Sequence, residues 1–526
     1  MRYVSKSNLI FLLAVTIFLF HSGYLYNFTV DDAYISFRYA DNLAQGKGIV
    51  YNVGERQEGY SNFLWIILLA IFSWLGISPV IASKFLSIIF GVGICILTLK
   101  LSQLFEKENV FLNFAAVLLL VVNNSFALWT VSGMETAFYT FLLLLACYLF
   151  LRDTDSKKIY VSAFCFLLVA LTRPEGIIFF SLPVLFIIYD LFISHAEFRR
   201  KFFIIYLLIL AIPFSVYLVW KFLYFGTIIP NPFYAKFQAP LRLDYQPGIP
   251  KLRMAFHYIT QALQQHNLLV TIPFLGILFG MKKEGREKLI FMGCVILLQF
   301  FFIFSVGGDW MPSYRFVVPV LPFIYLLFQE GISTSLVWLR NRCFNLCLFV
   351  TILGMCLANF PPSKADHYEY SKSKEGAVKR ISEFGVWLQR SFPSHYTVAY
   401  TEAGIPMYYS NLRLLDVLGL ISRDIAKIWY TCPDDYWELN RRVVNYVLEK
   451  KPELIILVFK QTPKQLRDFK GGVDYTFYHN IHFQTDYELT KVKDWYLPGE
   501  SPQWPEGVSM FVYLRKDLKS FYQRLL

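Results

Sequence analysis

Long apolar runs, separated by short polar corners, dominate the first 360 residues of the chain. A membrane-spanning helix needs about 20 mostly apolar residues, and runs of roughly that length recur throughout this part. They predict about eleven spans, near residues 8–24, 80–100, 109–129, 134–151, 158–172, 175–193, 202–224, 266–280, 287–305, 315–330 and 336–358. The shorter apolar run at 63–76 is interpreted as an interfacial or re-entrant helix that closes the first outside loop.

The pattern changes after about residue 361, where the chain becomes polar and aromatic. Residues 396–404 and 453–459 are short and rich in β-forming residues, which is typical of buried strands. VWLQRSF and DDYWELNRRVVNYVLEK have the pattern of helices. We therefore expect a transmembrane domain over 1–360, with its first outside loop at 25–62, and a C-terminal α/β domain over 361–526. The aromatic content of that second domain suits glycan binding as well as a core.

Composition supports a polytopic α-helical membrane protein. Hydrophobic residues make up 56% of the 526 residues and charged residues only 17%, whereas soluble chains average about 45–50% and about 25%. A disordered chain and an ordinary cytosolic enzyme are excluded. The formal net charge of +12 indicates contact with anionic lipid. We expect the lipid bilayer, and no nucleic acid, as a partner.

The basic residues also predict the orientation of the spans. With a cytoplasmic N-terminus, alternate loops contain Lys100 and Lys107; Arg152, Lys157 and Lys158; Arg199, Arg200 and Lys201; Lys282, Lys283, Arg286 and Lys288; Arg340 and Arg342. The opposite loops around 130–133 and 306–314 contain no Lys or Arg. This is the positive-inside pattern. It places 25–61, 225–262 and the C-terminal domain outside the cytoplasm.

The first outside loop begins with two adjacent carboxylates, Asp31 and Asp32, directly after an apolar span. Carboxylates at a membrane border are costly unless water, a cation or a substrate compensates them. Tyr34 and Arg38 follow at helical spacing, and the loop closes with Glu55, Glu58, Tyr60 and Asn62. The alternative interpretation is a solvated loop in which an Asp caps a helix.

Four further outside corners contain unusual polar groups. They are Glu135; Arg173 with Glu175; Asn231 with Tyr234 and Lys236; and Asp309 with Trp310 and Arg315. Each can be explained alone, because a glutamate stabilises a helix start and an arginine can extend to lipid headgroups. Since all four lie on the same predicted side of the membrane as the first loop, we expect one outside cavity lined by these groups.

The run DDAYISFRYADNLAQGKGIVYNVGERQEGYSNFLW resembles the first extracytoplasmic loop of GT-C glycosyltransferases that use polyprenyl-phosphate sugars. The specific resemblance is to the mycobacterial terminal β-(1→2) arabinofuranosyltransferase family and its Gram-negative relatives. GMET, TRPEG, PN-x-x-YAK and GGDWM-x-x-YRF resemble further motifs of that group. AYTEAGIPMYYSNLRLLDVLGL resembles its D-x-A-G…D-x-x-GL pattern, with Glu402 at a position where Asp is common.

This resemblance implies a bacterial inner-membrane enzyme that moves a sugar, arabinofuranose in the named family, from a polyprenyl-phosphate donor to an envelope glycan or glycolipid. It also implies a catalytic Asp in the first loop. We expect Asp31 to be the general base and Asp32 to orient it or share its role. The expected ligands of the donor phosphate are Arg38, Arg173, Lys236 and Arg315. The expected substrate-binding residues are Tyr34, Glu55, Glu58, Tyr60, Asn62, Glu135, Glu175, Asn231, Tyr234, Asp309 and Trp310.

Direct displacement by the acceptor predicts inversion at the anomeric carbon. A divalent cation could assist the leaving phosphate, although no ligand spacing requires a metal or other cofactor. Two other functions are compatible with part of the pattern. A transporter or flippase would also place charges within a bundle, but the sequence lacks the internal repeats typical of one. A non-catalytic glycan-binding or assembly protein would account for the aromatic C-terminal domain.

Overall fold

A computed structural model describes most of the chain. The described residues are 6–105, 110–152, 159–194, 197–237, 251–271, 285–309, 311–339, 365–431, 436–459, 472–496 and 508–522, together with single positions 275 and 354. The expected spans at 266–280 and 336–358 lie largely outside the described residues. So does the expected domain boundary near residue 360.

The first part of the chain is helical. Its helices are α1 (Lys6–Tyr24), α2 (Asp31–Ala44), α3 (Phe63–Trp74), α4 (Pro79–Ser102), α5 (Ala115–Val121), α6 (Asn124–Val131), α7 (Thr136–Arg152), α8 (Ile159–Thr172), α9 (Ser181–Ser194), α10 (Glu197–Phe225), α11 (Asn231–Phe237), α12 (Lys251–Gln265), α13 (Arg286–Val306) and α14 (Leu321–Leu339). Short 3₁₀ helices occupy Val110–Phe114, Pro174–Phe180, Leu268–Thr271 and Pro312–Val320.

Five helical segments of the described chain are long and apolar enough to cross a membrane. They are Ser7–Tyr24, Pro79–Ser102, Phe203–Phe225, Arg286–Val306 and Pro312–Ser335. These five agree with predicted spans, but the expected number of about eleven is not confirmed. The helices that replace the predicted spans at 134–151, 158–172 and 175–193 are shorter than a full crossing. Helix α3, with 12 residues, is about 18 Å long, also too short to cross about 30 Å of hydrocarbon.

The expected straight span at 109–129 is instead a bent pair of helices. Leu112–Val121 and Asn124–Val131 meet at 57°. The bend occurs at Asn123, which lies outside helical geometry and whose Oδ1 accepts a hydrogen bond from the Phe126 N–H at 3.0 Å. Asn123 therefore caps α6, because its side chain satisfies an N–H that has no partner within the helix. A polar cap within an apolar run turned one predicted span into two short helices.

The remaining residues form a mixed sheet with helices on both faces. Its strands are β1 (Thr397–Tyr400), β2 (Arg413–Asp416), β3 (Leu454–Phe459), β4 (Tyr487–Tyr496) and β5 (Val508–Arg515), and its helices are α15 (Ala365–Ser391), α16 (Ile405–Ser410), α17 (Arg423–Thr431), α18 (Tyr436–Glu449), α19 (Val473–Tyr478), α20 (Ile481–Asp486) and α21 (Lys519–Tyr522). The strand order is β2-β1-β3-β5-β4. Strand β1 is parallel to β2 and β3, whereas β5 is antiparallel to β3 and β4.

Alternate residues of this sheet face two different cores, as the period of a strand requires. Val398, Leu454 and Ile456 belong to the main core, which continues into the helices of the first part. Ala399, Ile455 and Leu457 face a smaller core that contains Trp429 and Val443 of α17 and α18. Helix α16 lies on the first of these two faces, and the sheet contacts α2 through it.

Candidate active site

Helix α2 presents different residues to two sides of the molecule. Asp31, Tyr34 and Arg38 follow one another at spacings of three and four, so they share one helix face, and each contacts α16 or the residues beside it. Asp32 and Ser36 are four residues apart and share another face. Ser36 donates a hydrogen bond of 3.1 Å to Asn62, and Asn62 in turn contacts Glu135 beside the start of α7. The two carboxylates therefore begin a helix that lies between the membrane part and the sheet.

Asp31 is held by the chain segment that follows β1. The Ile405 N–H donates a hydrogen bond of 2.8 Å to its Oδ1. Asp31 and Asp32 are both partly exposed, and both lie in the first turn of α2, where the helix dipole favours carboxylates. The sequence places Asp31 at a helix start, but its partner is 374 residues away, so no local pattern could have identified Ile405.

Arg38 has partners that differ from those expected of a phosphate ligand. Its Nε donates to the Tyr51 carbonyl at 3.0 Å, Nη1 to the Met407 carbonyl at 2.6 Å and Nη2 to the Leu412 carbonyl at 2.7 Å. The side chain is buried, and its guanidinium lies over the Tyr51 ring. Every guanidinium nitrogen thus donates to a main-chain carbonyl, so the contacts that the structure shows for Arg38 join α2 to the C-terminal sheet domain, and its phosphate-binding role stays a prediction.

A buried polar network connects the first loop with the residues that precede α7 and follow α8. The Asn62 amide donates to Glu135 Oε2 at 2.8 Å. Glu135 Oε1 lies 2.7 Å from Arg173 Nη1, and Glu175 Oε1 lies 2.5 Å from Arg173 Nε. Four residues predicted from three separate corners therefore meet in one cluster. Its two carboxylates more than balance the charge of Arg173, so Arg173 is a weaker phosphate ligand than its charge alone indicates.

A second arginine lies beside this network. The Arg315 guanidinium is 5.0 Å from the centre of the Phe316 ring, and that of Arg173 is 5.4 Å from the same ring. Arg315 Nη2 pairs with Asp309 Oδ2 at 2.8 Å. Because Asp309 is the one carboxylate among the described residues that pairs with it, Arg315 keeps more capacity for an anion. Trp310 lies outside the described residues, and Lys236 is placed on α11 by its backbone only.

Glu58 forms an ion pair that the sequence-based expectations missed. Lys221 Nζ, on α10, lies 3.0 Å from Glu58 Oε2, and both side chains are buried. Burial raises the pKa of the Glu58 carboxyl to about 7, although Lys221 opposes the shift. A lysine within an otherwise apolar helix is a sequence signal that could have identified this pair. Tyr60, 3% exposed, packs nearby against Tyr39 and Phe225.

We expect Lys221→Met to lower the free energy of unfolding by about 3–5 kcal/mol at pH 8, because it leaves Glu58 buried without a partner. Without Lys221 the pKa of Glu58 rises further, so protonation stabilises the folded state at low pH and this contribution is lost as the pH rises. The loss should therefore be smaller at pH 5 than at pH 8. Thermal unfolding in detergent measures both values. Lys221→Met/Glu58→Gln should recover most of the stability; an equal loss at both pH values would contradict the ion pair.

The other predicted residues contact the sheet side of the molecule. Glu55 pairs with Arg413 at the surface. The Asn231 amide donates to the Ile421 carbonyl at 3.2 Å, and the Tyr234 ring lies 5.4 Å from that of Tyr430. Tyr34 packs against Tyr408 and Tyr409. The described contacts of the predicted residues thus form two groups, one in the buried network and one on the surface where the sheet docks, and a single cavity lined by both stays a prediction.

Metal ligands do not cluster in the part of the chain that the structure describes. No group of three or more His, Cys, Asp or Glu side chains is arranged there to hold an ion. A polar cleft of about 290 Å³ lies between the first loop and the sheet. Among its lining residues are Asn52, Glu55, Arg413, Arg423 and Asp424. Of the residues predicted for the site, only Glu55 is among those that line this cleft.

Solved structures with a similar fold identify the architecture. Crystal structures of ArnT from Cupriavidus metallidurans, one bound to undecaprenyl phosphate and one in the apo state, match 96% of this chain and 97% of theirs, with a TM-score of 0.57 and 11% identity. The oligosaccharyltransferase of Archaeoglobus fulgidus matches 85% of this chain and 67% of its own, with a TM-score of 0.44 and 12% identity.

Sequence comparisons are less informative than the fold. A family model described as a domain of unknown function (DUF8728) matches residues 367–513. No curated protein shows significant similarity to the chain. The likeness to ArnT over nearly the whole length shows that this chain has the fold of those structures. The expected membership of the arabinofuranosyltransferase family is not confirmed.

Proposed function

We propose that this protein is an inverting glycosyltransferase that moves a sugar from a polyprenyl-phosphate donor to a glycan or glycolipid of the bacterial cell envelope. The observation that carries the proposal is the position of Asp31 and Asp32. They begin a helix that lies between a buried charged network of the membrane part and the docked sheet. ArnT has the same fold and was solved with undecaprenyl phosphate, which supports a donor of that class.

The reaction needs a base and a stabilised leaving group. The acceptor oxygen forms a bond with the anomeric carbon while the bond from that carbon to the donor phosphate oxygen breaks. Asp31 takes the proton of the acceptor hydroxyl, which contributes typically 10²–10⁴-fold. Ile405 orients the carboxylate, as a third group commonly orients a catalytic base. The lipid phosphate leaves as an anion, and the attack from the opposite side inverts the configuration.

Arg315 is the best placed of the described cations to hold the departing phosphate. Within the described part of the chain its charge is balanced by Asp309, whereas Arg173 is shared by two glutamates. A planar guanidinium can bind two phosphate oxygens at once. Fixed donors that face a developing negative charge act strongly where water is excluded, and Arg315 is buried. Lys236 remains a second candidate as a point charge.

The proposed location is the bacterial inner membrane, with the reaction on its outer face. The distribution of Lys and Arg among the loops supports this orientation. It places α2 and the sheet domain outside the cytoplasm. The proposed domains are 1–360, which spans the membrane and contains the site, and 361–526, which covers it. Arabinofuranose is the sugar that the sequence resemblance favours. Mass spectrometry of surface glycans from a deletion strain would identify the sugar and its acceptor.

Binding of undecaprenyl phosphate to the detergent-solubilised protein tests the proposed phosphate site. We expect Arg315→Gln/Asp309→Asn, which keeps the local charge balance, to weaken binding about tenfold or more, the equivalent of about 1.4 kcal/mol. Asp309→Asn alone should bind as well as the unmodified protein or more tightly, because it releases Arg315 from its partner. The matched control is Arg413→Gln, which removes an exposed arginine elsewhere.

Unchanged affinity in the double variant would show that the Arg315–Asp309 pair only stabilises the fold. If Asp309→Asn weakened binding as much as the double variant, the carboxylate rather than the guanidinium would be the group that matters. Either result would contradict the assignment of Arg315 as the phosphate ligand. Native mass spectrometry or a tryptophan-fluorescence titration with undecaprenyl phosphate can measure these affinities.

A further inference from the structure

The segment between β1 and α16 lies directly against Asp31. The Ile405 N–H donates to Asp31 Oδ1 at 2.8 Å. A Cβ atom built on Gly404 would overlap both the carboxylate and the main-chain carbonyl of Asp31. Only a glycine therefore allows the main chain to approach the carboxylate so closely at this position. The side of Asp31 that faces the sheet domain is in contact with backbone.

Buried hydrogen bonds fix this segment to α2 and the first loop. Arg38 holds the Met407 and Leu412 carbonyls, which belong to and follow α16. The Tyr51 hydroxyl donates to the Ala403 carbonyl at 2.5 Å. All of these groups are buried, so exchange with water is disfavoured. The residues on both sides of Gly404 are thus attached to the same part of the molecule that carries Asp31.

From this geometry, and resting on the proposed function, we infer that the C-terminal domain completes the active site, with Gly404 and the Ile405 N–H as positioning groups for the Asp31 carboxylate. The N–H fixes one carboxylate oxygen, and the missing side chain at Gly404 lets that N–H reach it. Neither group touches the substrates in this assignment. A domain that binds glycans without taking part in the site would not need this contact.

Such a contact has two consequences for the base. It restricts the direction in which the carboxylate faces, and a displacement of about 1 Å can cost about 10²-fold in rate. It also adds a hydrogen bond to the carboxylate, and bonds to an ionised acceptor are roughly twice as strong as those between neutral groups. Other charged or titratable groups near Asp31 are Asp32, Tyr34, Tyr51, Tyr400 and Glu402. A substitution at Gly404 leaves the chemical identity of all five unchanged.

The first test is Gly404→Ala, assayed in membranes with donor lipid extracted from a strain that lacks this protein. We expect kcat to fall about tenfold or more, with little change in the KM for the donor. Gly23→Ala is the control, since a Cβ at Gly23 meets no atom within 4 Å.

A second pair of variants decides the question if Gly404→Ala does not fold. Ile405→Pro removes both the side chain and the N–H, and proline is tolerated at the first position of a helix. Ile405→Ala removes most of the same side chain and keeps the N–H. The difference between the two therefore reports the N–H itself. We expect kcat of the proline variant to be about tenfold lower than that of the alanine variant, with little change in the KM for the donor.

Asp31→Asn separates failure of this inference from failure of the proposed function. One outcome is that Asp31→Asn is inactive while Gly404→Ala keeps the kcat of Gly23→Ala and Ile405→Pro keeps that of Ile405→Ala. In that case the positioning role is wrong and the proposed function stands. If Asp31→Asn is fully active, both are wrong. In the double variant Asp31→Asn/Gly404→Ala we expect no loss beyond that of Asp31→Asn, because Gly404 acts through Asp31. Multiplied losses would overturn the inference.

Discussion

Asp31→Asn should abolish nearly all sugar transfer while the protein still inserts and folds. Asparagine keeps the size of aspartate, and its Oδ1 can still accept the hydrogen bond that the Ile405 N–H donates to Asp31. It lacks basicity, and a positioned general base contributes typically 10²–10⁴-fold. We therefore expect a loss of about 10²-fold or more in kcat. The measurement is transfer in membranes with the donor lipid extracted from a deletion strain, with protein amount determined in parallel.

Two further variants make this result specific. Asp424→Asn removes an exposed carboxylate that accepts a hydrogen bond from Tyr446, and it should transfer at the normal rate. Asp32→Asn should cost less than Asp31→Asn if Asp32 only orients the base or binds an ion. A larger loss at Asp32 would exchange the two roles and keep the site at the start of α2.

Near-normal transfer in both variants would contradict a base at the start of α2. From the sequence, Glu55 and Glu58 would then be the next candidates. The structure leaves neither well suited, because Glu55 is paired with Arg413 and Glu58 is buried against Lys221. The result would therefore move the base to a residue outside the start of α2 and remove the observation that carries the proposed function.

Local sequence pattern was sufficient for part of the site. The helical spacing of Tyr34 and Arg38 predicted the helix that the structure shows at Asp31–Ala44. Similarly, the β-rich runs at 396–404 and 453–459 became β1 and β3. Both successes concern contacts within one element, where the periodicity of the side chains is set by the backbone geometry.

Contacts across the chain could not be predicted in the same way. Arg38 was expected to hold a phosphate because it is cationic and lies beside two carboxylates. Its actual partners at Met407 and Leu412 are 369 and 374 residues distant. Main-chain carbonyls are present at every residue, so the sequence contains no signal that distinguishes these two from any others. Lys221 was missed for a different reason, since it was counted only as part of an apolar span.

The structural role of Arg38 predicts a large loss of stability in Arg38→Met. Methionine fills similar space without donors, so three buried hydrogen bonds from a charged donor, to the carbonyls of Tyr51, Met407 and Leu412, would be lost. A hydrogen bond to a charged group contributes about 1.5–3 kcal/mol, and we expect the variant to lose at least about 3 kcal/mol in total. Thermal unfolding in detergent and limited proteolysis measure this. The sheet domain should become cleavable at lower temperature, because α16 loses its attachment to α2.

Arg413→Met is the matched control, because it also removes an arginine that joins the first loop to the sheet domain. Its side chain is 45% exposed and pairs with a partly exposed glutamate, and such pairs contribute about 0–1 kcal/mol. It should therefore be nearly as stable as the unmodified protein. If Arg38→Met kept full stability and lost affinity for undecaprenyl phosphate, Arg38 would be a phosphate ligand after all. If stability is lost and the folded fraction still binds the donor, the role of Arg38 is the one that its hydrogen bonds indicate. It then attaches the sheet domain to the catalytic helix.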